Sequence, residues 1–353
     1  MGRQARGEVM DPRQVQIFHC IHRCVRRAFL CGKDPYSGVC YDHRREWIRE
    51  RLEFLASVFA IDCLTFAVLS NHLHVVLRSR PDVVASWSDE EVARRWLRLY
   101  PLRRNRDGTP AEPLQTEIDS IVNDRERLSE RRQRLSDISW WMRCTAEKIA
   151  VQSNREDEVT GHFWEGRYRS QQLLDEASVL ACAAYVDLNP IRAAMAESLE
   201  TSKFTGAKDR IDDLRAGTDR TDLTDHQWER STDCRCSGWK SPIEIDEGDD
   251  PLGGDGGQSS RRASDKGFLP ISIGKYLELL DWTGRQLVRG KGGAVPSHLD
   301  PILKRLGLSP LGWCDLVLRF ASYFKRAVGT TAHLREEADR RGQLWLHAPG
   351  SLA

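Results

Sequence analysis

His72 and His74 stand one residue apart in the stretch FAVLSNHLHVVLRSRP, Phe66 to Pro81. Side chains at i and i+2 of a β-strand point to the same face, so two imidazoles would lie side by side while Leu73 faces inward. Paired imidazoles form a donor set for a divalent metal; the plainer reading of the same pattern is a half-exposed strand carrying two polar residues. A second pairing occurs in YVDLNP, where Tyr185 and Asn189 are four apart and stack on one helical face, projecting a phenol and a carboxamide together. Asn before Pro also makes a natural helix N-cap with Pro at the first helical position.

The elements that must carry these residues follow from periodicity and breakers. The segment from Ile17 to Val25 reads as a first strand entering an arginine-rich bend. A helix from about Asp42 follows, with Trp47, Leu52, Leu55 and Phe59 near helical spacing. Two strands joined at Ser70 and Asn71 come next, the second bearing the histidines. From about Asp82 to Glu158 the chain becomes charge-dense and helical, its arginines and carboxylates mostly alternating as on solvated helix faces. GHFWEGRYRSQQLL reads as a fourth strand, and Asp175 as the N-cap of the helix that carries Tyr185 and runs toward Pro190.

Residues 203–267 are polar, and DEGDDPLGGDGGQSSRRASDKG has linker composition, which places a domain boundary there. Beyond it, residues 268–353 predict a small helical domain, with Trp313, Val317, Phe320 and Phe324 tracing one stripe. Its Lys275, Arg285, Arg289, Lys291, Lys304, Arg305, Lys325 and Arg326 could touch phosphates or serve as plain surface. Because every chemistry-bearing residue precedes Pro190, that domain is expected to be removable without loss of the chemistry.

Lys and Arg number 53 against 52 Asp and Glu in 353 residues, so net charge gives no sign of a strongly basic nucleic-acid binder and any basic surface must be local. The expected local contacts are Arg23, Arg26 and Arg27 after the first strand, Arg78 and Arg80 after the third, and Arg167 and Arg169 on the fourth. Trp164 or Tyr168 could stack on a base, and His19 and His22 read as structural. Ten cysteines are too dilute for a disulfide scaffold, and Cys234 and Cys236 lack partners at zinc-site spacing. The N-terminus has no signal-peptide core, and no run reaches the ~18 apolar residues of a membrane span. These features predict a cytoplasmic protein with no membrane partner.

Taken together and in order, LSNHLHVVL, GHFWEGRYRSQQLLDE and YVDLNPIRAAM resemble the HUH single-tyrosine transposases, in particular the REP-associated tyrosine transposase branch, over roughly residues 15–200. His72, Leu73 and His74 match the family's His, hydrophobic, His motif. The resemblance implies a transposase domain over residues 1–202 with a helical insertion at about 82–158. Its fold would be α+β, a ferredoxin-like or RRM-like antiparallel sheet with helices on one face. It further implies Tyr185 as nucleophile, Asn189 as third ligand beside His72 and His74, and magnesium or manganese as the ion. The implied substrate is single-stranded DNA with hairpins, cut and rejoined through a 5′-phosphotyrosine, and a homodimer with the tyrosine acting in cis or in trans stays open. The chain departs from the family at Ser70, where Pro often precedes the Asn, and in the length of the insertion. A non-catalytic nucleic-acid-binding regulator on the same scaffold is the alternative.

Overall fold

A computed structural model of the chain describes residues 9–25, 30–34, 37–218, 238–245, 261–289 and 300–347. Arg26, Arg27, Cys234, Cys236, Lys291 and most of the linker-like segment lie outside the described residues, as does the side chain of Arg289.

The chain begins with β1 (Ile17–Arg23), α1 (His43–Ala56), β2 (Ile61–Val68) and β3 (His72–Ser79), the order expected from periodicity. The insertion is α2 (Pro81–Ser86), α3 (Asp89–Leu99), α4 (Gln115–Val122), α5 (Arg125–Arg134) and α6 (Ile138–Glu156). Ser88, Asp124 and Asp137 cap α3, α5 and α6 by accepting backbone N–H groups that the helices leave unbonded. Then come β4 (Arg169–Leu173), α7 (Glu176–Asp187), α8 (Asn189–Arg192), α9 (Gly206–Thr218), α10 (Ile273–Arg289), α11 (Asp300–Arg305), α12 (Pro310–Tyr323), β5 (Ala327–Val328) and α13 (Thr331–Arg340).

The strands form one α+β sheet in the order β2-β3-β1-β4-β5. The first four are antiparallel neighbours, which is the split βαββαβ arrangement, whereas β5 joins β4 in parallel. The sheet is therefore mixed. β4 is also shorter than expected: Phe163 to Tyr168 are irregular, with Trp164 making only an isolated bridge to Cys24.

Helices cover both faces of the sheet, not one. Every residue of β2 is buried, as a strand sandwiched between two helical layers must be. On one side Phe18, Phe66, Leu73, Val75 and Leu77 pack with Ile48, Leu52, Leu55 and Trp141 of α1 and α6. On the other, Ile17, Leu64, Ala67 and Val76 pack with α7 and with Tyr276, Leu279, Trp313 and Phe320 of α10 and α12. The C-terminal segment thus does not stand apart as a helical unit: it supplies β5 and a large share of the second core.

Arg78 and Arg80, expected at a DNA surface, point into this interior and are fully buried. Arg78 pairs with Asp62 at 2.8 Å and donates to the carbonyls of Lys266 at 2.7 Å and Gly267 at 2.8 Å. Arg80 pairs with Asp82 at 2.6 Å and also donates to Ser264. Two buried guanidiniums need such partners, because stripping their hydration without replacing it would cost several kcal/mol. They tie residues 264–267 to β3 and, in this structure, present no surface to a phosphate.

Candidate functional site

α7 is apolar nearly all round, and ten of its twelve residues are buried. Asp175 accepts from Ser178 N at 2.8 Å to start it. Near its end, buried Asp187 accepts from Thr65 and Tyr276, both at 2.6 Å, and from Ala207 N at 3.0 Å. These bonds pin the helix between β2 and α10. Gly206 lets α9 approach: a Cβ there would lie 2.0 Å from Thr65 Oγ1. Leu188 keeps helical dihedrals, so α8 continues the same spiral and Tyr185, Asn189 and Arg192 share one side.

That side faces the histidines. Residues opposite one another in the antiparallel register share a sheet face, which joins His72 with Arg23, and His74 with Ile21 and Arg169. His19, Val76 and Gln171 form the next row. The rings of His72 and His74 are 4.7 Å apart, and Tyr185 meets His74 at 5.7 Å and His19 at 5.9 Å, edge to face. Asn189 Nδ2 lies 3.1 Å from His74 Nε2. The sequence motifs separated by over a hundred residues therefore converge. His74 is buried, at 2% exposure, so the plainer reading of a half-exposed strand does not hold for it; His72 is half-buried.

His72 Nδ1 lies 2.6 Å from Asn71 Oδ1; with that oxygen as acceptor, Nδ1 carries the proton and Nε2 keeps its lone pair. Burial lowers the pKa of His72 to about 4, helped by the nearby Arg23 charge, and lowers His74 well below the ordinary imidazole range. Both rings are neutral at pH 7, the state a metal ligand requires. The donor set of two imidazoles and one carboxamide fits a divalent cation with open positions; Asn189 must turn its amide over to offer Oδ1. Among the described residues no cluster of three or more His, Cys, Asp or Glu has metal-holding geometry, so a third ligand beside the two imidazoles would come from the carboxamide.

Arg192 and Gln171 escape the sequence reading, which takes His19 as structural only. Arg192 places its guanidinium 4.6 Å from the Tyr185 ring centroid and donates to Leu318 O at 2.6 Å, leaving its buried Nε without a partner. Its signal was the spacing Tyr185, Asn189, Arg192, that is i, i+4 and i+7 on one helix. His19 and Gln171 gave no comparable signal, since strand register alone brings them in. Burial raises the Tyr185 pKa, while the charge of Arg192 and the Asn189 side chain oppose the rise. Phe320 of α12 stacks on the phenol ring at 5.3 Å, and Tyr185 is only 7% exposed.

Of the expected DNA contacts, Arg23, Arg167 and Arg169 are exposed, and Arg23 lies 3.9 Å from Glu165. Trp164 and Tyr168 are buried on the opposite face. Trp164 stacks on His22 at 4.1 Å and donates to Ala146 O at 2.9 Å. Both line a cavity of about 750 Å³ beside α6, together with Trp140, Met142 and Ala146. In the C-terminal segment Arg285 and Arg305 are paired with Asp281 and Glu176.

Burial also lowers the His19 pKa, from 6.5 to about 4. The unfolded chain then binds more protons than the folded one between these values, so the stabilisation is complete above pH 6.5 and is lost on acidification. By pH 4 this group alone is expected to cost about 3 kcal/mol. Urea unfolding at pH 7 and pH 4 checks this, with His19→Gln flattening the difference by that amount.

No helix among the described residues is long and apolar enough to cross a membrane. No family model and no curated protein matches the chain. Among solved structures the chain is similar to a REP-associated tyrosine transposase bound to a REP hairpin, at 9% identity over 62% of this chain and 87% of that one, with a TM-score of 0.35. A likeness of that size does not establish a shared fold, and what the site can do rests on its own geometry.

Proposed function

We propose that the chain is a metal-dependent DNA transposase that cuts and rejoins single-stranded, hairpin-bearing DNA through a 5′-phosphotyrosine. The observation that carries this reading is the convergence of a phenol, a guanidinium, two neutral imidazoles and a carboxamide on one sheet face. Phosphoryl transfer needs an in-line nucleophile and positive charge on the phosphate oxygens. The Tyr185 phenol gives up its proton and forms the new O–P bond; the P–O3′ bond breaks and the 3′ oxygen takes up a proton. The phosphodiester energy is kept in the protein link, so the hydroxyl of another strand can reverse the step. Arg192, beside the phenol ring, would stabilise the phenolate with its charge. Magnesium or manganese held by His72, His74 and Asn189 would neutralise charge on the non-bridging oxygens, with imidazole donors favouring manganese. Arg23 and Arg169, on the same face, would hold flanking phosphates.

One observation favours a second reading, a nucleic-acid-binding regulator that no longer cuts: Phe320 covers the Tyr185 ring. A labelled hairpin single strand incubated with the protein and manganese, then resolved under denaturing conditions, separates the two. A protein-linked product supports the transposase; binding without any adduct supports the regulator. In the same assay His72→Ala, at a half-buried position, is expected to fold and to lose at least ~100-fold in cleavage, from several kcal/mol of lost charge stabilisation. Undiminished cleavage by this variant in a chelator would exclude the metal.

A further inference from the structure

His19 is fully buried in the middle of β1 and touches no solvent, yet both ring nitrogens are engaged. The protons along this chain of contacts can be placed from one fixed end. Gln171 Nε2 lies 2.5 Å from the Phe324 carbonyl, which only accepts, so the amide nitrogen must face it. Gln171 Oε1 is then left for His19 Nδ1 at 2.9 Å, and that nitrogen must carry the proton. A neutral ring protonated at Nδ1 has a lone pair at Nε2. This lone pair lies 2.8 Å from His74 Nδ1, which must therefore be N–H, leaving the lone pair of His74 on Nε2. Nε2 is the atom that faces Asn189.

We propose that Gln171 and His19 form a positioning relay, running from the Phe324 carbonyl to His74, that holds His74 in the Nδ1-protonated tautomer with Nε2 aimed at the metal site. The proposal rests on the transposase reading for the identity of the ligand, but the relay itself is a property of the metal-free chain. It does for His74 what Asn71 does for His72, so both imidazoles offer the same nitrogen. A ligating histidine whose second nitrogen donates to a fixed acceptor is locked in rotation and made more basic, and loss of such an acceptor typically costs about 10–100-fold in metal affinity. An imidazole acceptor is unusual in this place, and it needs a further group to fix its own tautomer. Gln171 supplies that group, and Phe324, just past α12, fixes Gln171.

The test uses the full chain, ¹⁵N imidazole NMR without metal, and manganese binding followed by electron paramagnetic resonance. Wild-type His74 is expected as the Nδ1-H tautomer. His19→Phe, which fills the space without an acceptor, should shift His74 toward the Nε2-H form and weaken manganese binding about 10–100-fold. His19→Gln, whose carboxamide oxygen can accept from His74, should restore the tautomer and most of the affinity. Gln171→Met, which leaves His19 in place, should mix the tautomers of both histidines and serves where His19→Phe does not fold. Wild-type His74 protonated at Nε2, or His19→Phe binding manganese as tightly as wild type, would overturn the relay. A wild-type protein that shows the Nδ1-H tautomer but binds no manganese would sink the metal reading and leave the relay standing.

Discussion

Tyr185→Phe is expected to fold as the wild type does and to form no covalent adduct with DNA, with strand joining down by at least ~10⁴-fold, to background. The ring stays, so its stacking on Phe320 at 5.3 Å and its contact with Arg192 survive, and only the hydroxyl is removed. On the proposed reading the lost atom is the one that bonds to phosphorus, and the ring's described neighbours His19, His74, Phe320 and Arg192 carry no hydroxyl. Tyr168 is the natural control. Its hydroxyl lies 3.3 Å from Ser139 Oγ in the packing beside α6, on the other face of the sheet from His74. Tyr168→Phe should therefore keep the adduct and lose about 1 kcal/mol of stability at most. Peptide mapping of the trapped adduct decides between them: a nucleotide on Tyr168, or joining by Tyr185→Phe, would overturn the assignment.

Truncation after residue 249 is expected to abolish cooperative folding, not merely to alter DNA affinity. Tyr276, Leu279, Leu280, Trp313 and Phe320 are fully buried and pack on α7 and the sheet. Losing a single large core side chain typically costs about 3–5 kcal/mol, and a whole domain holds about 5–15 kcal/mol of net stability. Removing this layer also takes away β5, the partners of Arg78 at Lys266 and Gly267, and the hydrogen bond of Tyr276 to buried Asp187. Thermal unfolding followed by circular dichroism checks the outcome. A soluble 1–249 fragment with a sharp transition would show that the linker-like composition of residues 246–267 marks a true boundary after all.

The parts of this molecule that were legible before any coordinates are those fixed by neighbours in the chain. Strand parity put His72 and His74 on one face, helical spacing put Tyr185 and Asn189 together, and Asp175 announced the start of α7. These depend on period and capping, which act over two to four residues. What no local pattern could supply was the covering of the second face. α10, α12 and β5 lie far along the chain from the sheet they close, and their stripe reads equally well as the core of a separate unit. The same distance hid the fate of the charges. Arg78 and Arg80 look like surface residues until Asp62 and residues 264–267 are brought against them, and only register across β1, β3 and β4 places His19 between Gln171 and His74. Burial is a property of what packs on a side chain, so the state of each group in the site, neutral imidazoles and a phenol covered by Phe320, followed from contacts between segments that the sequence holds apart.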